Sequence, residues 1–306
     1  TMFFLASSNY CFIFIKNTKY IFQLNLYPII AGNFMLDGGA MFGVVPKSIW
    51  QKTNPADNNN MVKIAARCLL VEDGDKLVLI DTGMGNKQSE KFFSYYYLWG
   101  EETLESSLKK NGFHPDDITD VFLTHLHFDH CGGAVVKTRE GSLETAFKNA
   151  KYWSNKKHWD WATGPNKRES ASFLKENISP IIESGQLNFL AKDKESYLTK
   201  SPLGFDVLFM DGHTEKQMIP IIDYRGQKIA FTADLVPTHG HIPLPYIPGY
   251  DVRPLISLKE KELFLNFCHE NNVFLFFEHD ASVELCSLKS TDRGIRLNKK
   301  LLLSEI

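Results

Sequence analysis

The sequence lacks a stretch of apolar residues long enough to cross a lipid bilayer, so no membrane association is expected. Two short apolar stretches, residues 3–5 and 11–15, lie near the start, without a basic segment before them or a clear cleavage site of small residues. A signal peptide, an extension and a misplaced start are the three interpretations of this segment. Residues 1–19 are assigned as an N-terminal extension, and residues 20–306 are predicted to form a single domain.

Cysteine is scarce and shows no pattern of pairing. The chain has 5 cysteines, an odd number without paired spacing, and they are Cys11, Cys68, Cys131, Cys268 and Cys286. This usage argues against a disulfide framework and suits a reducing compartment, so a cytoplasmic location is expected. A secreted or periplasmic location is the alternative if residues 1–22 act as a signal.

The chain also lacks a basic block, an internal repeat and a low-complexity tract. Its formal net charge is −2, and lysine and arginine are dispersed along the sequence. A nucleic-acid-binding surface is therefore not expected. With 306 residues and 43% hydrophobic content, the chain can form one large domain or two small ones.

The most informative stretch begins with residues 121–123, an apolar run that predicts a short buried strand. His125, His127, Asp129 and His130 follow it within six residues. Imidazole and carboxylate groups are the ligands that zinc, iron and manganese accept. On an extended segment His125 and His127 point the same way, whereas the adjacent Asp129 and His130 diverge and can serve a second ion. A loop of solvated histidines is the alternative, and this pattern disfavours it.

Potential ligands follow other predicted strands as well. The residues at these strand ends are Asp81, His125, His213, Asp234 and His279. Such an arrangement places ligands along one rim of a layered α/β fold. Taken singly, Asp81 has two equally supported interpretations. It is either a turn former or a carboxylate that fixes the tautomer of a ligand imidazole.

Several local expectations follow from the residue patterns. A first strand is predicted over residues 20–30, and a short strand over residues 40–45. Residues 257–260, Ser-Leu-Lys-Glu, form a capping box that predicts the start of a helix running to about Asn271. The glycine pair at 132–133 is expected to let the backbone pass close beneath the site.

Taken together, the motifs resemble those of the metallo-β-lactamase superfamily, in the family's order. The matching pieces are Asp81-Thr82-Gly83, His125-Leu126-His127-Phe128-Asp129-His130, Gly212-His213-Thr214, Asp234 and His279. The resemblance covers about residues 20–290. It implies an α/β fold of the four-layer αββα type, with two mixed β-sheets face to face and helices outside.

The resemblance also implies two divalent metal ions held by seven side chains. One metal would be held by His125, His127 and His213, the second by Asp129, His130 and His279, and Asp234 would bridge the two. Zinc is the expected metal, and iron, manganese and cobalt fit the same ligands. Catalytic roles are assigned to Asp129, which would shuttle a proton, and to Asp81, which would orient a ligand imidazole.

Within the superfamily, the chain is most similar to the branch of N-acyl-homoserine lactonases and methyl parathion hydrolase. The similar stretches are residues 37–43, residues 234–238 and the proline-rich run to residue 251. This implies a hydrolase that uses a metal-bridging hydroxide to open a lactone or carboxylic ester, and a role in quorum quenching. Some lactonases carry a tyrosine where this chain has Pro237. His241 and Tyr250 are candidates to replace it, and a structural role in the stiff loop is the alternative for both.

Other functions stay open at this stage. The same ligands serve phosphotriester and thioester hydrolases of the superfamily, and a non-catalytic metal-binding or regulatory protein could keep the fold. The expected partner is a small-molecule ester or lactone, with no nucleic acid and no membrane, and a homodimer is compatible with the sequence. Met41, Phe42 and the tryptophans of residues 153–161 either line an apolar pocket or belong to the core.

Overall fold

Two β-sheets packed face to face form the centre of the computed structural model, which describes residues 24–193 and 195–306. Residues 1–19, the candidate signal segment and Cys11 lie outside the described residues. Within the described ranges, no helix combines the length and the hydrophobicity needed to cross a membrane.

The described residues form both strands and helices. The strands are β1 (Asn25–Asp37), β2 (Met61–Asp73), β3 (Lys76–Ile80), β4 (Asp120–Phe122), β5 (Val135–Lys137), β6 (Leu143–Thr145), β7 (Lys151–Ser154), β8 (Leu187–Phe189), β9 (Thr199–Lys200), β10 (Asp206–Met210), β11 (Gln217–Tyr224), β12 (Gln227–Phe231), β13 (Val273–Phe276), β14 (Leu285–Thr291) and β15 (Gly294–Leu301). The α-helices are α1 (Gly38–Phe42), α2 (Lys47–Trp50), α3 (Glu90–Ser94), α4 (Leu104–Lys110), α5 (Phe128–Cys131), α6 (Lys156–Thr163), α7 (Lys175–Glu183) and α8 (Pro254–Glu270).

Both large sheets are mixed. The first has the strand order β1-β2-β3-β4-β7-β8, and the second has the order β15-β14-β13-β12-β11-β10-β9. In the first sheet β3, β4, β7 and β8 run parallel to one another, whereas β1 pairs antiparallel with β2 and β2 with β3. In the second sheet β12 and β13 form a parallel pair. The two mixed sheets predicted from the family resemblance are confirmed.

The first sheet is buried on both faces. Leu69 and Val71 of β2 belong to the core between the sheets, while Cys68 and Leu70 belong to the core on the opposite face. This alternation follows from the two-residue period of a strand. It explains why these strands are continuous apolar runs rather than alternating apolar and polar residues.

Helices complete the outer layers. Leu108 of α4 and Ile178 of α7 lie in the core that covers the outer face of the first sheet. Phe264 and Leu265 of α8 pack with the second sheet. The order of layers is therefore helix, sheet, sheet, helix, which confirms the four-layer αββα sandwich. The single-domain boundary at residue 20 stays a prediction.

Two local predictions are wrong, the first because of a local helix cap and the second because of a tertiary contact. Residues 40–45 do not form a strand: the Asp37 carboxylate accepts a hydrogen bond from the Ala40 amide at 2.9 Å and caps α1 instead. Residues 257–260 do not begin α8, which starts at Pro254. The Glu260 carboxylate instead accepts hydrogen bonds from the amides of Asp211 and Gly212, at 2.8 and 2.9 Å.

The first strand also differs from its prediction. β1 begins at Asn25 and runs to Asp37, through Pro28, which pairs with Leu69. Proline is tolerated because β1 is an edge strand, where one side of the backbone needs no ladder hydrogen bonds. Residues 20–23 of the predicted strand lie outside the described part.

The glycine pair at 132–133 lies where two backbone segments pass each other closely. A Cβ atom at Gly132 would overlap the carbonyl group of Met84, and one at Gly133 would overlap that of Thr82. The Gly133 amide donates to the Gly83 carbonyl at 3.0 Å. The close backbone approach predicted for this pair is therefore present, and it holds the end of β3 against the segment that carries His130.

We expect Gly133→Ala to lower the free energy of unfolding by about 1–3 kcal/mol, because the added methyl group must displace rigid backbone. Urea denaturation of the chelator-treated protein measures this change. Gly164→Ala is the matched control, because a Cβ there meets only the Asp160 carbonyl oxygen, at 3.5 Å. Equal stabilities of the two variants would contradict the close approach at residue 133.

Candidate metal centre

Three histidines and one aspartate form a first cluster. His125 and His127 follow β4, and His213 follows β10. The His127 Nδ1 atom lies 3.1 Å from His125 Nε2 and 3.1 Å from His213 Nε2. With a carboxylate oxygen of Asp234, these atoms all lie within 4.8 Å of one another. The four side chains are buried.

A second cluster lies beside the first. It consists of Asp129 and His130, both in α5, and His279, which follows β13. The two imidazoles face each other, with 3.1 Å between His130 Nε2 and His279 Nε2. Asp129 Oδ2 is 3.9 Å from the first of these nitrogens and 3.8 Å from the second.

Asp234, which follows β12, lies between the two clusters. Its Oδ2 atom is 3.1 Å from His213 Nε2 and 3.6 Å from His130 Nε2, and its Oδ1 atom is 3.1 Å from His279 Nε2. One carboxylate therefore reaches ligands of both clusters. This is the position that a bridging ligand requires.

Each of the five imidazoles is held by an oxygen atom on its outward side. The contacts are His127 Nε2 with Glu169 at 3.1 Å, His213 Nδ1 with Asp251 at 2.9 Å, His130 Nδ1 with Asp81 at 3.1 Å, His279 Nδ1 with the Ala65 carbonyl at 2.8 Å, and His125 Nδ1 with the Thr124 hydroxyl at 3.0 Å. An outward N–H group that donates to oxygen leaves the inward nitrogen with its lone pair. The rings are thus fixed in the tautomer that can bind a cation.

The donor set fits two divalent metal ions. Unprotonated imidazole nitrogens that face one another at 3.1 Å repel unless a cation or a proton lies between them. The buried Asp234 Oδ1 atom accepts no hydrogen bond from any described residue. Nitrogen and oxygen donors in these numbers suit zinc, and also iron or manganese.

The electrostatics of the rings reflect burial and the neighbouring charges. Burial, reinforced by His130 and His127, holds the pKa of His125 well below its ordinary value. Burial acts in the same direction on His130, but the carboxylates of Glu278, Asp234 and Asp129 outweigh it and raise the pKa of His130. The carboxylates around the second cluster therefore favour positive charge at this position.

Asp81, which follows β3, has an uncommon backbone conformation. Its φ is +57°, in the left-handed region that aspartate tolerates better than most residues. Its carboxylate accepts hydrogen bonds from the Thr124 amide at 2.8 Å, the Thr124 hydroxyl at 2.6 Å and His130 Nδ1. Asp81 therefore connects the end of β3 to both the His125 turn and the His130 ring.

Sequence reasoning missed two residues that hold ligand rings and one that holds the backbone between His125 and His127. Glu169 accepts hydrogen bonds from His127 and from Trp161 Nε1, at 2.7 Å for the latter. Burial raises the pKa of Glu169, but these hydrogen bonds outweigh it and lower the pKa to about 2. Asp251 holds His213, and His158 Nε2 accepts from the Leu126 amide at 2.8 Å. Glu169 and Asp251 lie in loops whose local sequence gives no signal for this role.

The two clusters form the floor of a cavity of about 470 Å³. His127, Asp129, His213, Asp234 and His279 line its polar part, and Leu36, Tyr96, Phe128 and Tyr250 line its apolar part. Met41 and Phe42 are fully buried and do not line it. Trp153 and Trp159 also lie outside its wall, and Trp161 reaches it only through its hydrogen bond to Glu169.

His241 and Tyr250 were the two candidates to replace the tyrosine that is absent at Pro237, and the structure distinguishes them. Both nitrogens of His241 are engaged: Nδ1 lies 2.8 Å from the Thr238 hydroxyl, and Nε2 donates to the Met41 carbonyl at 3.0 Å. Burial lowers the pKa of His241 to about 3. The ring of Tyr250, in contrast, lines the cavity, 5.7 Å from the His213 ring. His241 is structural, and Tyr250 faces the space available to a substrate.

Known proteins share both sequence and fold with this chain. It is 24% identical over 274 residues to the N-acyl homoserine lactonase AiiA of Bacillus thuringiensis subsp. kurstaki, an alignment that covers 85% of this chain and 94% of that one. A probable metal-dependent hydrolase from Staphylococcus aureus superposes with a TM-score of 0.79 at 27% identity, covering 92% of this chain and 99% of the other.

A further solved structure, of AidC, a dizinc quorum-quenching lactonase in complex with a product, superposes with a TM-score of 0.73 at 22% identity. The match covers 92% of this chain and 95% of that one. At this identity the likeness shows the shared fold. Residues 64–266, more than half of the chain, match the family model of the metallo-beta-lactamase superfamily, and this match, with the fold and the ordered ligand clusters, shows that the chain belongs to that superfamily.

Proposed function

We propose that this protein is a dinuclear metal-dependent hydrolase that opens a lactone or another carboxylic ester, with an N-acyl homoserine lactone as the preferred class of substrate. The observation that carries the proposal is the convergence of two ligand clusters, joined by Asp234, on the floor of a partly apolar cavity. Membership of the superfamily supports a metal-dependent hydrolase. The choice of lactone is supported by the likeness to N-acyl homoserine lactonases over most of the chain.

In this proposal the first cluster and the second cluster each hold one ion. His125, His127 and His213 would hold the first, Asp129, His130 and His279 the second, and Asp234 would contact both. Zinc is the metal proposed, because tetrahedral sites with imidazole and carboxylate ligands suit it well. Two such ions would supply Lewis acidity toward a carbonyl oxygen and a water nucleophile at neutral pH.

The chain itself would orient the reactants and move the proton. Asp129 belongs to the second cluster and also lines the cavity, so its carboxylate can take a proton from the attacking water and deliver it to the leaving oxygen. Glu169, Asp251 and Asp81 keep three of the rings in place and so preserve the geometry that the reaction needs.

Tyr250 is proposed to contact the substrate. Its hydroxyl group makes no hydrogen bond to another described residue, and its side chain lines the cavity. Burial, followed by the charges of Asp234 and Asp251, raises the pKa of Tyr250 well above its ordinary value. The phenol therefore keeps its proton and can donate a hydrogen bond to the oxygen on which charge develops.

The cavity also suits a substrate with an apolar arm. Leu36, Tyr96 and Phe128 lie on its wall, with Arg168 among the lining residues. The Arg168 guanidinium donates to the Gly249 carbonyl at 2.6 Å, which ties the loop that carries Tyr250 to the segment that carries Arg168. An acyl chain would lie against the apolar side while its ester group reaches the clusters.

We expect zinc-loaded protein to hydrolyse N-acyl homoserine lactones at least about tenfold more efficiently, in kcat/KM, than aryl esters, thioesters or phosphotriesters. The panel is assayed at one metal content and one pH. A preference for phosphotriesters would identify a different branch of the superfamily. Turnover of none of these substrates, with two metals bound, would refute the proposed hydrolase.

We expect His127→Ala to lose zinc and activity together, because it removes the nitrogen shared by the closest contacts of the first cluster. Asp129→Ala is expected to lower metal content at the second cluster and to lower kcat by at least about a hundredfold, since it also removes the proposed proton carrier. Elemental analysis and steady-state kinetics measure these changes. His269→Ala, in the last turn of α8, is the control and should retain both. Variants of the cluster that keep full metal and activity would reject the ligand assignment.

Tyr250→Phe is expected to lower kcat by about ten- to a hundredfold, because a hydrogen bond to the developing oxyanion is lost. Metal content and the melting temperature should stay unchanged, since the hydroxyl group makes no hydrogen bond to a described residue. Tyr246→Phe, in the same proline-rich segment but outside the cavity wall, should retain full activity. Unaltered kcat of the Tyr250 variant would exclude the tyrosine from the reaction.

A further inference from the structure

Glu278 has a buried side chain next to the two metal clusters. The ligand assignment does not explain why a carboxylate is buried there. Glu278 follows β13 directly and precedes His279, and its side chain is fully buried. Neither of its carboxylate oxygens accepts a well-aligned hydrogen bond from any residue between 24 and 306 that the structure describes. A buried carboxylate is strongly unfavourable unless a positive charge or a set of donors compensates it.

The nearest group that can supply such compensation is the imidazole of His130. The Oε2 atom of Glu278 lies 3.0 Å from His130 Nδ1. The same nitrogen donates to Asp81 Oδ2 at 3.1 Å. Since one N–H group points at Asp81, the Glu278 contact is a close approach of its carboxyl oxygen rather than a second aligned hydrogen bond.

The two carboxylates reach His130 from opposite sides of the sandwich. Asp81 follows β3 of the first sheet, whereas Glu278 follows β13 of the second. The backbone joins the sheets at the same place, because the Arg67 amide donates to the Glu278 carbonyl at 3.0 Å and the Ala65 amide donates to the His279 carbonyl at 3.3 Å. The position of Glu278 is therefore set by the main chain and not by chance packing of a surface loop.

We propose that Glu278 is a positioning residue for the second metal: its carboxylate faces the outward nitrogen of His130 and strengthens the hold of the inward nitrogen on a cation. This inference rests on the dinuclear centre of the proposed function. A carboxylate behind a ligand imidazole makes the ring more basic and fixes its orientation. Here two carboxylates, one from each sheet, act on one ring.

The charge distribution points in the same direction. Four carboxylates, those of Asp81, Asp129, Asp234 and Glu278, surround His130 without an arginine or lysine paired to any of them among the described residues. A cation on the inward side of the ring offsets this charge. Glu278 therefore favours positive charge at this ring, which a bound cation supplies in the metal-loaded protein.

Glu278→Gln tests this inference, because the amide keeps the shape of the side chain and removes its charge. A residue with an ordinary structural role would lose stability on substitution with or without metal. For Glu278 we expect the melting temperature to fall more in the zinc-loaded protein than in the chelator-treated protein. We expect zinc affinity to fall by about tenfold or more, and only in the second of two binding events.

The experiment titrates metal-free protein with zinc alone, against a chromophoric chelator, and records melting temperatures before and after loading. Substitution by cobalt adds a spectroscopic measurement, since the absorption bands of the second ion to bind should change in the variant. Glu284→Gln is the matched control: this carboxylate lies near the end of the same sheet and accepts a hydrogen bond from the Leu303 amide at 2.7 Å. It should leave both zinc affinities unchanged.

Retention of the second zinc affinity in Glu278→Gln would overturn the inference, and so would an equal fall of the melting temperature with and without zinc. Either result, with two zinc ions bound to the unsubstituted protein, leaves the dinuclear hydrolase intact. Fewer than two zinc ions bound to the unsubstituted protein would instead refute the dinuclear centre and this inference with it.

Discussion

The mutual repulsion of buried donor atoms is the constraint on which this structure depends. Five imidazole rings direct nitrogens toward one small buried volume, and the carboxylates of Asp129 and Asp234 point into the same volume. Such a group of atoms without cations is unfavourable, because the lone pairs and negative charges lie too close together. With two divalent cations between them, the same atoms become a binding site, and the rest of the chain holds them in that arrangement.

The αββα sandwich provides this arrangement by bringing strand ends from both sheets to one rim. β3 and β4 of the first sheet lead into Asp81 and the histidine motif, while β10, β12 and β13 of the second lead into His213, Asp234 and His279. Both faces of the first sheet are buried, so its strands have little freedom to shift. The outward nitrogens are fixed by oxygens, and the inward nitrogens therefore meet in one place.

Much of this centre could be predicted from sequence, because several ligands are close together along the chain. His125, His127, Asp129 and His130 follow a buried strand, and their spacing alone indicates a metal site. The more distant His213, Asp234 and His279 became interpretable through their order in the family pattern. The fold class followed from the same resemblance, and the structure agrees with it.

What sequence could not supply are contacts made across the fold. Glu169 lies in a charged loop and looks solvent-exposed by composition, yet it is buried against His127. The segment 257–260 has the residues of a capping box, but Glu260 binds the turn before His213 instead. Residues 40–45 have apolar character compatible with a strand, but the Asp37 side chain caps a helix there. In the first two cases a tertiary partner overrides a local preference, and in the third a local helix cap does so.

The centre is tested most directly by a crystal structure of the zinc-loaded protein, with anomalous data collected at the zinc absorption edge. We expect two peaks, one among His125, His127 and His213 and the other among Asp129, His130 and His279, with Asp234 in contact with both. Ligand distances of about 2.0–2.2 Å are expected for zinc bound to nitrogen and oxygen. A map without peaks between these side chains, or with zinc bound elsewhere on the chain, would contradict the dinuclear centre.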